Sequence, residues 1–133
     1  MTCQSAMGTR ERPGGRPADR MERLMAYVVC ATWKAKPGEE AAVTDLLAQI
    51  VHASEQEPGC LLFWAHRSVE DPATFFLYEQ YASETDFKLH AASDHVRRLV
   101  LEDAVHRLAE RRREIFELVA PDQSQMPQRV SHV

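Results

Sequence analysis

The chain has 133 residues, of which 44% are hydrophobic and 27% are charged, and its net charge is −4. This length and composition predict one globular domain with a single moderate core. A negatively charged chain lacks the basic footprint of nucleic-acid binding, and no apolar stretch of the sequence approaches the roughly 18 residues of a membrane span. We therefore expect neither nucleic acid nor a membrane among its partners.

The cysteines indicate a reducing compartment. Cys3, Cys30 and Cys60 form neither an even disulfide set nor a CxxC pair. Cys30 and Cys60 lie in apolar runs, where free thiols behave as small hydrophobic side chains. The N-terminus also lacks the positive-then-apolar layout of a secretory signal. We expect reduced structural cysteines and a cytoplasmic location.

Both ends of the chain differ in composition from the middle. Residues 1–23 are rich in Arg, Gly and Pro and poor in large apolar groups. Burial there would not offset the entropy of ordering, so we expect a disordered N-terminal extension. Residues 121–133 have the character of a loose tail. The predicted domain therefore comprises residues 24–120.

Strands and helices alternate within this domain. The predicted elements are a strand at 24–35, a helix from Glu39, strands at 60–68 and 74–82, a helix from Ser83, a further helix through 95–112 and a strand at 113–120. The first helix carries apolar residues at the i, i+3, i+4, i+7 spacing of one buried face. Ser83 with Asp86 forms a capping box. The arginine-rich end of the last helix interleaves acids and is typical of a solvated helix face.

This order, β-α-β-β-α-β, predicts an α+β fold of the ferredoxin-like type, with helices on one side of a single sheet. The second and third strands carry apolar residues on both faces, so the other face of the sheet should be covered as well. We expect a homodimer packed sheet to sheet, because two-fold dimers are the commonest oligomers.

The second strand carries two aromatic side chains on one face. Trp64 and His66 point to the same side by the period-two geometry of a strand, and Phe63 points to the other. A four-residue turn before the third strand would place Trp64 opposite Glu79, whereas a slip of one residue would place Phe63 there. The sequence leaves both registers open. Packing at the dimer face is the simpler interpretation of Trp64.

Glu79 is an unusual residue for the middle of an aromatic strand, since Tyr78 and Tyr81 flank it. A buried carboxylate there would need a partner or would have its pKa raised by desolvation, and either outcome suits proton transfer. The alternative is a structural acceptor of a hydrogen bond or salt bridge, because structural ion pairs also perturb titration.

Two histidines follow on the helical part of the chain. His90 ends the helix that begins at Ser83, and His95 lies in the first turn of the next helix, where the positive end of the dipole favours a neutral imidazole. His66, Glu79 and His90 could in principle form a two-histidine, one-carboxylate metal site. No spacing supports it, and we expect no metal.

Several spaced motifs carry a resemblance to a known family. The segments are "KAKPGEE" after the first strand, "EPGC" before the second, "DPATFFLYEQYAS" through the third and "FKLHAASDHV" on the helix. Together they resemble the antibiotic biosynthesis monooxygenase family over residues 25–119. The resemblance implies a dimeric α+β barrel and, for better-known members, oxidation of phenols or quinols by O₂ without a cofactor. The absence of GxGxxG, P-loop and HExxH sequences agrees with that.

The resemblance also implies roles for particular residues. Glu79 matches the family's tyrosine-glutamate pair and His90 its helix histidine, and both, with His66, are the candidates for proton transfer. The candidates for lining the pocket are Phe63, Trp64, Tyr81 and Phe87, with His95 orienting a substrate oxygen.

The expected partners are a small aromatic substrate and O₂. Two alternatives stay open: an isomerase or hydratase of a small carbonyl metabolite, which would reuse the same acid and base groups without O₂, and a non-catalytic dimeric binder of a small ligand. Haem-degrading members of the wider fold are a remote further alternative, since a lone histidine is too little to indicate haem.

Overall fold

The computed structural model describes residues 26–121, of which residues 27–116 form one compact unit. Ala26 and residues 117–121 belong to a second unit, in which the Leu118 amide donates a hydrogen bond to the Ala26 carbonyl over 3.1 Å. The predicted extension at 1–23, and the predicted tail at 121–133 apart from its first residue, lie outside the described residues.

Residues 27–117 contain a four-stranded sheet and two α-helices. In chain order the elements are β1 (Tyr27–Ala35), α1 (Glu40–Glu55), β2 (Cys60–Arg67), β3 (Thr74–Tyr81), α2 (Glu84–Ala91), a π-helical turn (Val96–Leu101), a 3₁₀ turn (Ala104–Arg107) and β4 (Leu108–Glu117). The strand order is β2-β3-β1-β4, and β3 is antiparallel to both of its neighbours. The predicted ferredoxin-like α+β fold is confirmed.

Helix α1 forms for the reason that its sequence suggests. Its buried residues recur at the spacing of one face, and they are Val43, Leu46, Leu47, Ile50 and Ser54. This face packs on the sheet in a core with apolar side chains of β1, β2 and β3, and full burial of each large aliphatic side chain contributes about 1.5–3 kcal/mol. Within residues 26–121, no helix has the length and apolar character needed to cross a bilayer.

The predicted helix through 95–112 was wrong in its second half. The chain instead forms the π-helical and 3₁₀ turns, and β4 begins at Leu108. Val96, Val100, Ala104 and Leu108 are all buried, so two short turns give the burial that a continuous helix would have given. The burial pattern alone does not distinguish these two backbones.

Contacts of Arg107 account for the end of the helical region. The Lys36 amide donates to the Arg107 carbonyl over 2.8 Å, which ties the backbone at this point to the start of the chain's first turn. The Arg107 guanidinium donates to Asp103 and to Glu39, both over 2.7 Å. The contacts with Lys36 and Glu39 are long-range, and they override a local helical preference before the chain enters the sheet.

The register between β2 and β3 settles which side chains share a face. Phe63 pairs with Glu79, and Trp64 pairs with Tyr78, so the shifted register is the one that forms. Phe63 and Glu79 consequently lie on the face that packs on the helices. Trp64 and His66 lie on the opposite face, where the side chain of Trp64 is 52% exposed.

Candidate functional site

A cavity of about 390 Å³ lies between the sheet and the helical side of the chain. Its floor includes Phe63 and Glu79, its wall includes Phe87 and His90 of α2, and its remaining edge is formed by residues 111–113 of β4. Much of the rest is aliphatic, from β1, α1 and the π-helical turn. The size and the few polar groups within an apolar lining are typical of small-molecule sites.

Glu79 is the buried carboxyl of this cavity, with 5% of its surface exposed. The period-two geometry of β3 places it on the same face as Tyr81, whose hydroxyl donates a hydrogen bond to Glu79 Oε1 over 2.6 Å. Burial raises the pKa of Glu79, although this hydrogen bond and the charges of His90 and Arg113 oppose the shift. Burial and the adjacent Glu79 carboxylate likewise raise the pKa of Tyr81.

A second carboxylate, Glu57, holds two histidines. Its oxygens lie 3.0 and 3.1 Å from Nδ1 of His90, and one of them lies 2.7 Å from Nε2 of His95. An ionised carboxylate only accepts hydrogen bonds, so both imidazoles donate to it. Glu57 comes from the turn before β2, and His90 ends α2. The contact therefore joins the turn that follows α1 to the end of α2.

Aromatic side chains surround His90, which is 8% exposed. The centres of the Tyr81, Phe63 and Phe87 rings lie 5.2, 5.7 and 6.1 Å from the centre of the imidazole. Since Nδ1 is engaged by Glu57, Nε2 is the nitrogen left to meet a ligand. An imidazole held in this way is oriented and is provided with a counter-charge for the protonated state.

The same three residues could also hold a metal ion. The donor atoms of Glu57, His90 and His95 all lie within 4.8 Å of one another, and two imidazoles with one carboxylate are a ligand set used for zinc and iron. This set differs from the combination of His66, Glu79 and His90 that the sequence raised. Hydrogen bonds join the three residues in the arrangement described here.

The structure brings most of the predicted site residues together and leaves two apart. Phe63, Glu79, Phe87 and His90 border the cavity, Tyr81 binds Glu79, and His95 binds Glu57.

Trp64 and His66 are the two that lie apart. They border a separate groove beside α1, which is also lined by Thr44 and Arg67. Nδ1 of His66 lies 2.9 Å from the Phe76 carbonyl oxygen. Neither side chain borders the cavity that holds Glu79.

Sequence analysis missed Glu57 and the arginines of β4 as residues of the site. Glu57 was assigned only to the turn that ends α1, and its partners lie 33 residues or more further along the chain. Arg111 was assigned to a solvated helix and Arg113 to the first position of the last predicted strand, yet both border the cavity. Had β4 been predicted from Leu108, period-two alternation would have placed both arginines on one face.

Comparisons with known proteins agree with this fold. Residues 26–100 match the family model of antibiotic biosynthesis monooxygenase. No curated protein matches the chain.

Solved structures with the same fold are numerous. A candidate antibiotic biosynthesis monooxygenase from Nitrosomonas europaea is 26% identical with a TM-score of 0.70, the match covering 73% of this chain and 93% of that one. NE2512 from the same organism, a protein of unknown function, is 25% identical with a TM-score of 0.68 and coverages of 79% and 97%. PA3566 from Pseudomonas aeruginosa is 23% identical with a TM-score of 0.69 and coverages of 74% and 98%. With the family model spanning most of the described domain, this chain belongs to the antibiotic biosynthesis monooxygenase family.

Proposed function

We propose that this chain is a cofactor-independent monooxygenase that oxidises a small aromatic quinol or phenol with O₂. The observation that carries the proposal is the pairing of two proton-transfer groups in one apolar cavity: the buried carboxyl of Glu79 and the imidazole of His90 backed by Glu57. An electron-rich phenolate reduces O₂ by itself, so the protein has to supply a base, a dry cavity and an acid.

In the first step Nε2 of His90 takes the proton of the substrate hydroxyl. The Glu57 carboxylate on Nδ1 stabilises the imidazolium that results, and general base catalysis of this kind contributes about 10²–10⁴ in rate. Phe63 and Phe87 flank the imidazole and keep water from the phenolate. His95 acts on the substrate only through Glu57, which makes it a positioning residue.

In the second step the phenolate passes one electron to O₂, and the two radicals combine to form a carbon–oxygen bond. Heterolysis of the O–O bond of the resulting hydroperoxide, with loss of the ring proton, gives a quinone and water. One phenol and one O₂ thus yield one quinone and one water. Glu79, whose pKa burial raises, is suited to donate the proton that the departing oxygen needs, and it recovers that proton from the imidazolium or the ring carbon.

We also propose that two copies of the chain associate through the sheet face opposite the helices. Trp64 and Phe76 on this face are 52% and 40% exposed, and His66 lies beside Phe76 with ring centres 5.8 Å apart. An exposed aromatic cluster of this kind favours an interface. Trp64 and His66 would then serve assembly. The free thiol of Cys30 supports a cytoplasmic setting.

The experiment that tests the activity is oxygen-electrode uptake by the purified protein with hydroquinones and polyphenols in the presence of a metal chelator. We expect uptake above the autoxidation blank that the chelator does not reduce. His90→Gln should abolish it, whereas His52→Gln, which changes an exposed histidine of α1, should not. No uptake across the panel would contradict the proposal and would favour an isomerase, a hydratase or a binder.

A further inference from the structure

The β4 edge of the cavity is formed by three arginines, Arg111, Arg112 and Arg113. Arg111 and Arg113 both border the cavity and lie on one face of the strand, since side chains two residues apart point the same way. The Arg113 guanidinium carbon is 5.2 Å from the centre of the Phe87 ring, which also borders the cavity. The Arg111 and Arg113 guanidinium groups therefore border the same cavity as the Phe87 ring.

The cavity carries an excess of positive charge. Glu79 is the only acidic residue among those of the described chain that border it, and burial raises the pKa of this carboxyl. Partial burial and the repulsion from Arg113 lower the pKa of Arg111, although both arginines are exposed residues. Both effects follow from desolvation and like charge. A negatively charged ligand would offset part of this imbalance.

The sheet order fixes how far the arginines lie from the proton-transfer groups. Strand β1 separates β3 from β4, so the backbone of Glu79 lies two strand spacings, about 10 Å, from the backbone of β4. Side chains of β3 and β4 reach into the space between these two strands. One aromatic ring that carries a hydroxyl at one end and a charged group at the other spans the distance that remains between them.

We propose that the cavity binds a small aromatic acid, a phenol or quinol that carries a carboxylate on its ring or on a short side chain. The carboxylate binds Arg111 and Arg113, whose planar donor forks match its geometry, and the hydroxyl lies at His90 and Glu79. As a statement about the substrate it rests on the proposed monooxygenase activity, but the binding itself does not depend on turnover.

The test is anaerobic calorimetry with a matched pair of ligands, 4-hydroxybenzoate and 4-hydroxybenzamide, which have nearly the same shape and differ in charge at pH 7. The wild-type protein should bind the acid at least about tenfold more tightly than the amide. Arg111→Gln combined with Arg113→Gln should bring the ratio close to unity. Arg98→Gln, which removes the same charge from an exposed ion pair with Asp94, should preserve it.

The outcomes separate this inference from the proposed activity. Equal binding of acid and amide by the wild type, binding of neither, or a ratio that the double variant retains would each overturn the inference. The wild-type ratio alone decides the matter if the double variant does not fold. Tight binding of the acid without oxygen uptake would uphold the inference and contradict the monooxygenase. Oxygen uptake with neutral quinols, without preferential binding of the acid, would support the monooxygenase and overturn the inference.

Discussion

The carboxylate of Glu57 lies within 3.1 Å of Nδ1 of His90 through both of its oxygens, across 33 residues of chain. One residue comes from a tight turn and the other from the end of a short helix, and the contact depends on the packing of α2 on the sheet. It gives the cavity an oriented imidazole with a charge partner, and the proposed chemistry depends on that pair.

Glu57→Gln should lower kcat by about 10²-fold, because the amide neither stabilises the imidazolium nor fixes the tautomer as a carboxylate does. Oxygen uptake at neutral pH measures the rate, and an unchanged melting temperature checks that the fold is retained. Glu70→Gln, an exposed acid of the β2–β3 turn, is the matched control. An unchanged rate would show that Glu57 has only a structural role.

Glu79→Gln should keep the fold and lose most turnover, by about 10²–10⁴-fold. The amide oxygen still accepts the hydrogen bond from Tyr81, so packing is preserved while the proton is removed. Circular dichroism and size-exclusion chromatography check the fold and the assembly, and oxygen uptake checks the activity. Loss of assembly with unchanged specific activity would instead identify Glu79 as a structural acceptor.

The pH dependence of the free energy of unfolding should report the titration of Glu79 independently of turnover. Burial raises its pKa above the ordinary value of 4.5, so the folded protein binds this proton more tightly than the unfolded chain does. The stability that results is fully present below the unfolded-state pKa and is lost as the pH rises through the folded-state pKa.

Glu79→Gln does not titrate at this position. Its free energy of unfolding relative to wild type should therefore rise as the pH increases above the unfolded-state pKa of Glu79, by about 1.4 kcal/mol for each unit by which the two pKa values of Glu79 differ. Urea unfolding at stepped pH measures the difference. A difference that stays flat as the pH increases would contradict the raised pKa.

Trp64→Lys should convert the proposed dimer to a monomer, because a charge would be desolvated at the centre of an aromatic interface. Light scattering coupled to size-exclusion chromatography gives the mass. Val69→Lys places the same charge at an apolar residue that is 98% exposed, and it should leave the mass unchanged. A wild-type monomer, or a Trp64→Lys dimer, would be inconsistent with this interface.

Local patterns in the sequence were sufficient for most of the fold. The apolar spacing through Val43, Leu46 and Ile50 identified α1, and the capping box at Ser83 identified the start of α2, where the Asp86 amide donates to the Ser83 hydroxyl as expected. The start of β4 was missed because its cause is distant: Arg107 bonds to residues of the β1–α1 turn.

The candidate site was predictable to the same extent. Glu79 and His90 stood out as titratable groups in apolar surroundings, and the family resemblance pointed to both. Glu57 gave no local signal, since an acidic residue in a Pro-Gly turn is ordinary until its partners are known. The strand register required tertiary information, because a one-residue slip exchanges the two faces of β2.

The most direct test of the central claim is the fate of labelled oxygen. The chelator-treated protein would be supplied with ¹⁸O₂ and a substrate identified by oxygen uptake, and the quinone product analysed by mass spectrometry. The account predicts one labelled oxygen atom in each quinone, with the second in water. An unlabelled quinone with hydrogen peroxide as the reduced product would contradict it, since that outcome is the signature of an oxidase that inserts no oxygen.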